Sequence, residues 1–340
     1  MGILEWFRRG AGAQSSQDVA RVDETVERIV QMTNPRLRLV PRYRARLKPA
    51  VQSSMSYARD LVAGAAPARE ASATSWASDP YLRAFFATAD EIIRVFGRSA
   101  DLRAHFDRNP DSQEAYAVLS MQMIERKILG MALEGETVRR DVAQTTVSFG
   151  DYRVRICGRT ESELRAEIER RIVDQLALEG LVQVGAEQSR REVLAQERAL
   201  LMTRLKLMQQ QGAGMRAVLG GEPVEATELA QLQSQIDGNS RNLTDLGSTT
   251  ELLDRELELI CGVLAKSHEH FNVTSRRLQL DHMNVVLEEG GAPKGTELEF
   301  QVARLPGVTP PEMRAFALVR FARANLPPAG LRFDEAAGLL

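Results

Sequence analysis

The chain has 340 residues, with 44 basic and 46 acidic side chains, a net charge near −2, and 44% hydrophobic but only 5% aromatic residues. At roughly 100–200 residues per domain this predicts two domains, or one plus an extension. The charge balance argues against a wholesale polyanion binder, and no apolar run reaches the roughly 18 residues of a membrane-spanning helix. No long apolar stretch precedes a cleavage site at the start, and two cysteines, Cys157 and Cys261, make no disulfide framework. The expectation is a cytoplasmic protein. Only five of the basic residues are Lys, and the Arg- and Ala-rich composition reads as bacterial-style coding bias rather than as a phosphate-binding device.

Residues 1–16 form the first stretch. On a helix Ile3, Leu4 and Phe7 share a face, with Trp6 at its border and Arg8 and Arg9 following. Aromatics beside arginines suit a membrane interface or a partner's groove. Gly10–Ser16 reads as a flexible linker behind this tip.

Residues 17–135 read as a helical bundle. Val19, Val22, Val26, Ile29 and Val30 recur at helical spacing up to Asn34-Pro35. The segment 36–48 carries Arg36, Arg38, Arg42, Arg44, Arg46 and Lys48 with no acid, which makes it the candidate site for an anionic lipid headgroup or a nucleic-acid phosphate. Acids of the preceding helix, Asp18, Asp23, Glu24 and Glu27, are the competing partners. The alternation before Pro41 looks extended, and a helix with Pro49 inside it follows. Asp79-Pro80 opens an amphipathic helix running to Gly97, and Asn109-Pro110 opens another with the stripe Ala117, Met121, Ile124, Ile128 and Met131.

Residues 136–185 turn to strand chemistry. Val142–Phe149 and Tyr152–Ile156 predict a hairpin with Gly150-Asp151 as its turn. The capping box Thr160-Glu-Ser-Glu163 then opens a helix. Residues 186–268 carry the strongest pattern. From Leu229 the seam runs through Leu232, Ile236, Asn239, Leu243, Leu246, Thr250, Leu253, Leu257 and Ile260 to Leu264 in alternating steps of three and four. That is a coiled-coil repeat. A weaker seam upstream (Leu194, Leu201, Leu205, Met208) predicts an antiparallel hairpin with its tip near 219–225.

Residues 269–327 return to strands, at 271–274, 278–280, 283–287, 298–302 and 313–323. The last is also readable as a helix behind the capping box Thr309–Glu312, but its β-favouring composition decides for a strand. Residues 328–340 read as a tail. The predicted fold is therefore α+β, mainly α: an N-terminal helical bundle and a small antiparallel β-sheet domain interrupted by a long antiparallel coiled-coil hairpin.

Neither a nucleotide-binding loop nor a hydrolase, kinase or zinc-protease signature occurs. His268-Glu269-His270 with His282 is the one metal-like cluster, and a polar helix-to-strand junction explains it better, so no metal, cofactor or catalytic residue is assigned. The expected function is a non-enzymatic interaction or scaffold protein. Its hairpin docks a protein partner or dimerises, and its N-terminal tip touches the inner face of an anionic membrane. Two alternatives stay open: nucleic-acid association through 36–48, which the net charge disfavours, and an enzyme with a site between bundle and sheet.

Overall fold

A computed structural model describes residues 3–134, 137–218, 226–245, 252–287, 295–304 and 313–328; within these, the side chains of 3–17, 131–139, 209–218, 226–227, 245, 304 and 313 are not described. In chain order the elements are α1 (Ile3–Met32), a 3-10 helix (Pro35–Leu39), α2 (Tyr43–Ala63), β1 (Arg69–Glu70), α3 (Ala73–Ser78), α4 (Pro80–Phe85), α5 (Ala89–Gly97) and α6 (Ala100–Arg108). Two long strands follow, β2 (Glu114–Glu134) and β3 (Thr137–Gly158), then the helices α7 (Glu161–Val218), α8 (Ala226–Asp245), α9 (Leu252–Ala265) and α10 (Ser267–His270). After these come β4 (Val273–Leu280), β5 (Val285–Val286), β6 (Thr296–Arg304) and β7 (Met313–Ala322), then a second 3-10 helix (Arg323–Asn325). It divides into two compact units, residues 1–54 with 174–267, and residues 55–173 with 268–340.

The first unit is helical. α1 buries Val22, Val26, Ile29 and Val30 of the stripe expected from the sequence, whereas Val19, its first member, is 53% exposed. The helix begins at Ile3, so the linker expected at 10–16 is helical backbone instead. α7 is one helix of 58 residues, not a short helix followed by a separate coiled-coil strand. At 1.5 Å per residue it is about 87 Å long. The expected hairpin tip, 219–225, lies outside the described residues, as do Leu246 and Thr250 of the seam.

The second unit corrects the expected fold class. Its strands do not form a small open sheet. They close into a six-stranded antiparallel barrel in the order β7-β2-β3-β5-β4-β6, with β6 pairing back onto β7. β7 makes the closure: residues 313–316 pair β6 along one edge, and residues 319–320 on that edge then receive β1 in parallel. Its other edge pairs β2 over 314–322. The strand expected at 313–323 is therefore a central member of the barrel.

β2 replaces the helix expected after Asn109. Residues Ala115, Ala117, Leu119 and Met121 are buried and alternate with half-exposed neighbours. Ala117 and Met121 belong to both a helical and a strand period, because a spacing of four satisfies each. Gly150-Asp151 is likewise not a turn. Ser120 pairs Arg153 and Gln122 pairs Gly150, so β3 holds an extra residue there: a bulge, with Asp151 at φ 45°. The β2–β3 connection lies beyond Glu134 instead. The single helix expected over 80–97 is two, α4 and α5. Phe86 between them is extended, and Ile92 and Phe96 are the buried large side chains of α5.

The barrel core is aromatic. Phe149 and Phe300 lie 5.3 Å apart between ring centroids, Phe85 packs on both, and Phe86 stacks on Tyr152 at 5.0 Å. The Tyr152 hydroxyl lies 2.5 Å from the Phe85 carbonyl and 2.9 Å from the Phe149 carbonyl, and its one proton, shared between them, ties α4 to β3.

Candidate interaction surface

The helical arm is built by α7 against α8 and α9. Along α7 the inner row Leu194, Arg198, Leu201, Leu205 and Met208 is half-buried, and α8 answers with buried Leu232 and Ile236. α9 buries Leu257, Ile260, Val263 and Leu264. Gly180 on α7 is required by close approach, since a Cβ there would lie 3.0 Å from the Ile260 Cα. Polar pairs set the register within one chain. Asn239 of the seam donates to Glu197 at 3.5 Å, and Arg255 reaches Glu187 at 3.2 Å. Asn34 donates to the buried Glu256 carboxylate at 2.8 Å.

About 120° round α7 from this inner row runs an exposed apolar stripe. Val182, Val193, Leu200 and Leu207 are 63%, 53%, 72% and 53% exposed. At 100° per residue they fall within about 40° of one another, well away from the inner row. Sequence reasoning singled out the inner seam and missed this outer stripe, although its heptad spacing (193, 200, 207) was available as a signal.

The basic segment 36–48 is mostly engaged within its own unit. Arg44 lies 2.8 Å from Glu27, Arg38 3.4 Å from the same carboxylate, and Lys48 2.7 Å from Asp23. Arg46 reaches Asp254 at 2.6 Å and Glu258 at 3.4 Å. The Tyr43 hydroxyl, bonded at 2.8 Å, and the Arg44 and Arg38 guanidinium groups hold Glu27 below the usual carboxylate range. Residues 35–39 are a 3-10 helix rather than extended. Arg36 and Arg42 are exposed with no ion pair among the described residues, and Leu39 between them is 72% exposed. Ile3, Leu4, Trp6, Phe7, Arg8 and Arg9 fall in the first turns of α1, but their side chains are outside the described residues.

His268, His270 and His282 do not assemble a site: among the described residues no group of three or more His, Cys, Asp or Glu is placed to hold a metal. Burial pushes the Cys157 thiol up to about 12 and the Cys261 thiol up to about 11. Two groups escaped sequence reasoning altogether. Arg314 is a buried cation, and His105 is buried with its Nε2 unpartnered among the described residues. Neither has a local pattern that announces burial.

The chain matches no protein-family model, curated protein or solved structure. Among the described residues no helix is long and apolar enough to cross a membrane.

Proposed function

We propose that the protein is a non-enzymatic interaction protein whose helical arm docks a protein partner. One observation carries this reading. α7 seals one face against α8 and α9 and keeps Val182, Val193, Leu200 and Leu207 on another. Apolar side chains aligned on a rigid helix are what a helical partner packs against. The test places a photo-crosslinking residue at Leu200 or Leu207, and as a control at Met283, itself 71% exposed on the barrel unit. Protein adducts from the arm positions and not from 283 are expected. Equal adducts at all three positions, or none, overturn the reading.

A second reading is favoured by the turn at Leu39. An exposed apolar side chain flanked by Arg36 and Arg42, which make no ion pair among the described residues, suits an anionic membrane surface, at roughly 1 kcal/mol per cation near the surface. The N-terminal tip would be its second anchor, since one weak anchor gives only reversible binding. Flotation with phosphatidylserine-containing vesicles should recover the full chain and lose it when residues 1–9 are deleted. Equal recovery of both chains, or of neither, removes the membrane from the account.

A further inference from the structure

We infer that the occupant of the outer face of α7 is a second copy of this chain, packed antiparallel with a two-fold axis close to Leu200. The inference rests on the reading of the arm as a docking element and goes on to name its partner. The core would be Val193 and Leu207 of one copy against Leu207 and Val193 of the other, with the two Leu200 side chains meeting at the axis. These three residues are spaced by seven, the repeat of helix-on-helix packing.

Charge decides the partner and the orientation. One flank of the stripe carries Glu197 and Arg204, about 60° and 40° round from it, and the other Glu192, about 80° round. In an antiparallel pair each flank faces itself reversed, so Glu197 meets Arg204 of the other copy, twice. In a parallel pair, Glu192 instead faces Glu197 of the other copy, and like charges repel. Within the chain Glu192 and Arg204 have no ion pair among the described residues, and Glu197 has only its 3.5 Å contact with Asn239. The charges flanking the stripe are thus available, whereas Arg44, Arg46 and Lys48 are already matched. The apolar row is short, so association should be concentration-dependent rather than permanent.

Sedimentation of the full chain is expected to show a monomer–dimer equilibrium. Leu200→Glu, at an exposed position, leaves the fold intact by circular dichroism and abolishes the dimer. Arg204→Glu weakens it at least fivefold, and the double exchange Glu197→Arg with Arg204→Glu restores it. Orientation is read with a short bis-maleimide. Leu200→Cys links to itself. Val193→Cys and Leu207→Cys each fail alone and link when mixed. The parent chain, with its half-buried cysteines, sets the background. A wild-type chain monomeric at every concentration, a dimer indifferent to Leu200→Glu, or Val193→Cys linking to itself overturns the proposal. If photo-crosslinking from Leu200 captures only a different protein, self-pairing fails while the docking reading survives. If it captures nothing, both fail.

Discussion

Arg314 of β7 reaches across β2 and closes the bulge of β3 at Asp151. Its Nη1 lies 2.6 Å from Asp151 Oδ2, its Nη2 donates to the Asp151 carbonyl, and its Nε donates to Ser120 Oγ at 2.8 Å. One guanidinium thus ties three neighbouring barrel strands, at a point where the bulge leaves β3 groups without ladder partners. The side chain is 4% exposed while Asp151 is 46% exposed.

Removing this cation should be among the most damaging single changes in the barrel. Arg314→Ala is expected to lower unfolding free energy by about 3 kcal/mol, the low end for breaking a buried pair because Asp151 stays half in water. Arg314→Lys should fall between, since it keeps the charge and loses the fork. Urea unfolding followed by tyrosine fluorescence measures both. The Arg314 and Arg153 contacts also hold Asp151 below its ordinary value of 3.8. The stability they contribute is present above that pH and lost as pH falls through the lowered value.

His105, in the last turn of α6, should make the barrel unit sensitive to mild acid. It is 4% exposed and its Nε2 has no hydrogen-bond partner among the described residues. Burial, with Arg108 and Arg159 outweighing Glu163, lowers its pKa below 6.5. The unfolded chain therefore binds the proton more readily. Stability is full above about pH 6.5 and declines as pH falls toward the folded value. Melting temperatures between about pH 5 and 8 should show this slope in the wild type and a shallower one in His105→Phe. An identical slope in the variant would assign it to other groups.

Two glycines of α7 should respond in opposite ways to a side chain. At Gly185 an added Cβ meets nothing within 4 Å, so Gly185→Ala should stabilise the helix by up to about 1 kcal/mol. At Gly180 the Cβ would meet Ile260, so Gly180→Leu should destabilise by about 1–3 kcal/mol through overpacking. Thermal unfolding of the two variants separates a helix-propensity effect from a contact effect.

The basic segment should divide by substitution into structural and surface cations. Arg46→Glu places a third carboxylate beside Asp254 and Glu258 and is expected to lower the melting temperature by several degrees, about 1 kcal/mol or more. Arg36→Glu and Arg42→Glu should leave the melting temperature within a degree or so and reduce vesicle recovery. Should vesicle recovery respond to Arg46→Glu alone, the turn at Leu39 is not the contact.

Local chemistry was legible in the chain itself. Val22, Val26, Ile29 and Val30 of α1 and the seam residues Leu232, Ile236, Leu257, Ile260 and Leu264 read correctly as buried positions, because a helix repeats its own geometry every few residues and needs no distant partner to define it. The strand over 313–322 was readable from its β-favouring composition, and the capping box at Thr160 marked the start of α7, where the Thr160 hydroxyl accepts from the Glu163 amide. Three things needed the tertiary structure. β2 is a strand because β7 and β3 offer it pairing edges, while its apolar spacing also fits a helix. Gly150-Asp151 is a bulge because β2 continues past it and Arg314 supports it from another strand. The barrel closes because residues 301–304 of β6 find 313–316 of β7. Strand pairing joins residues far apart in sequence, and no local pattern records which edge a strand will meet or whether the last edge returns to the first.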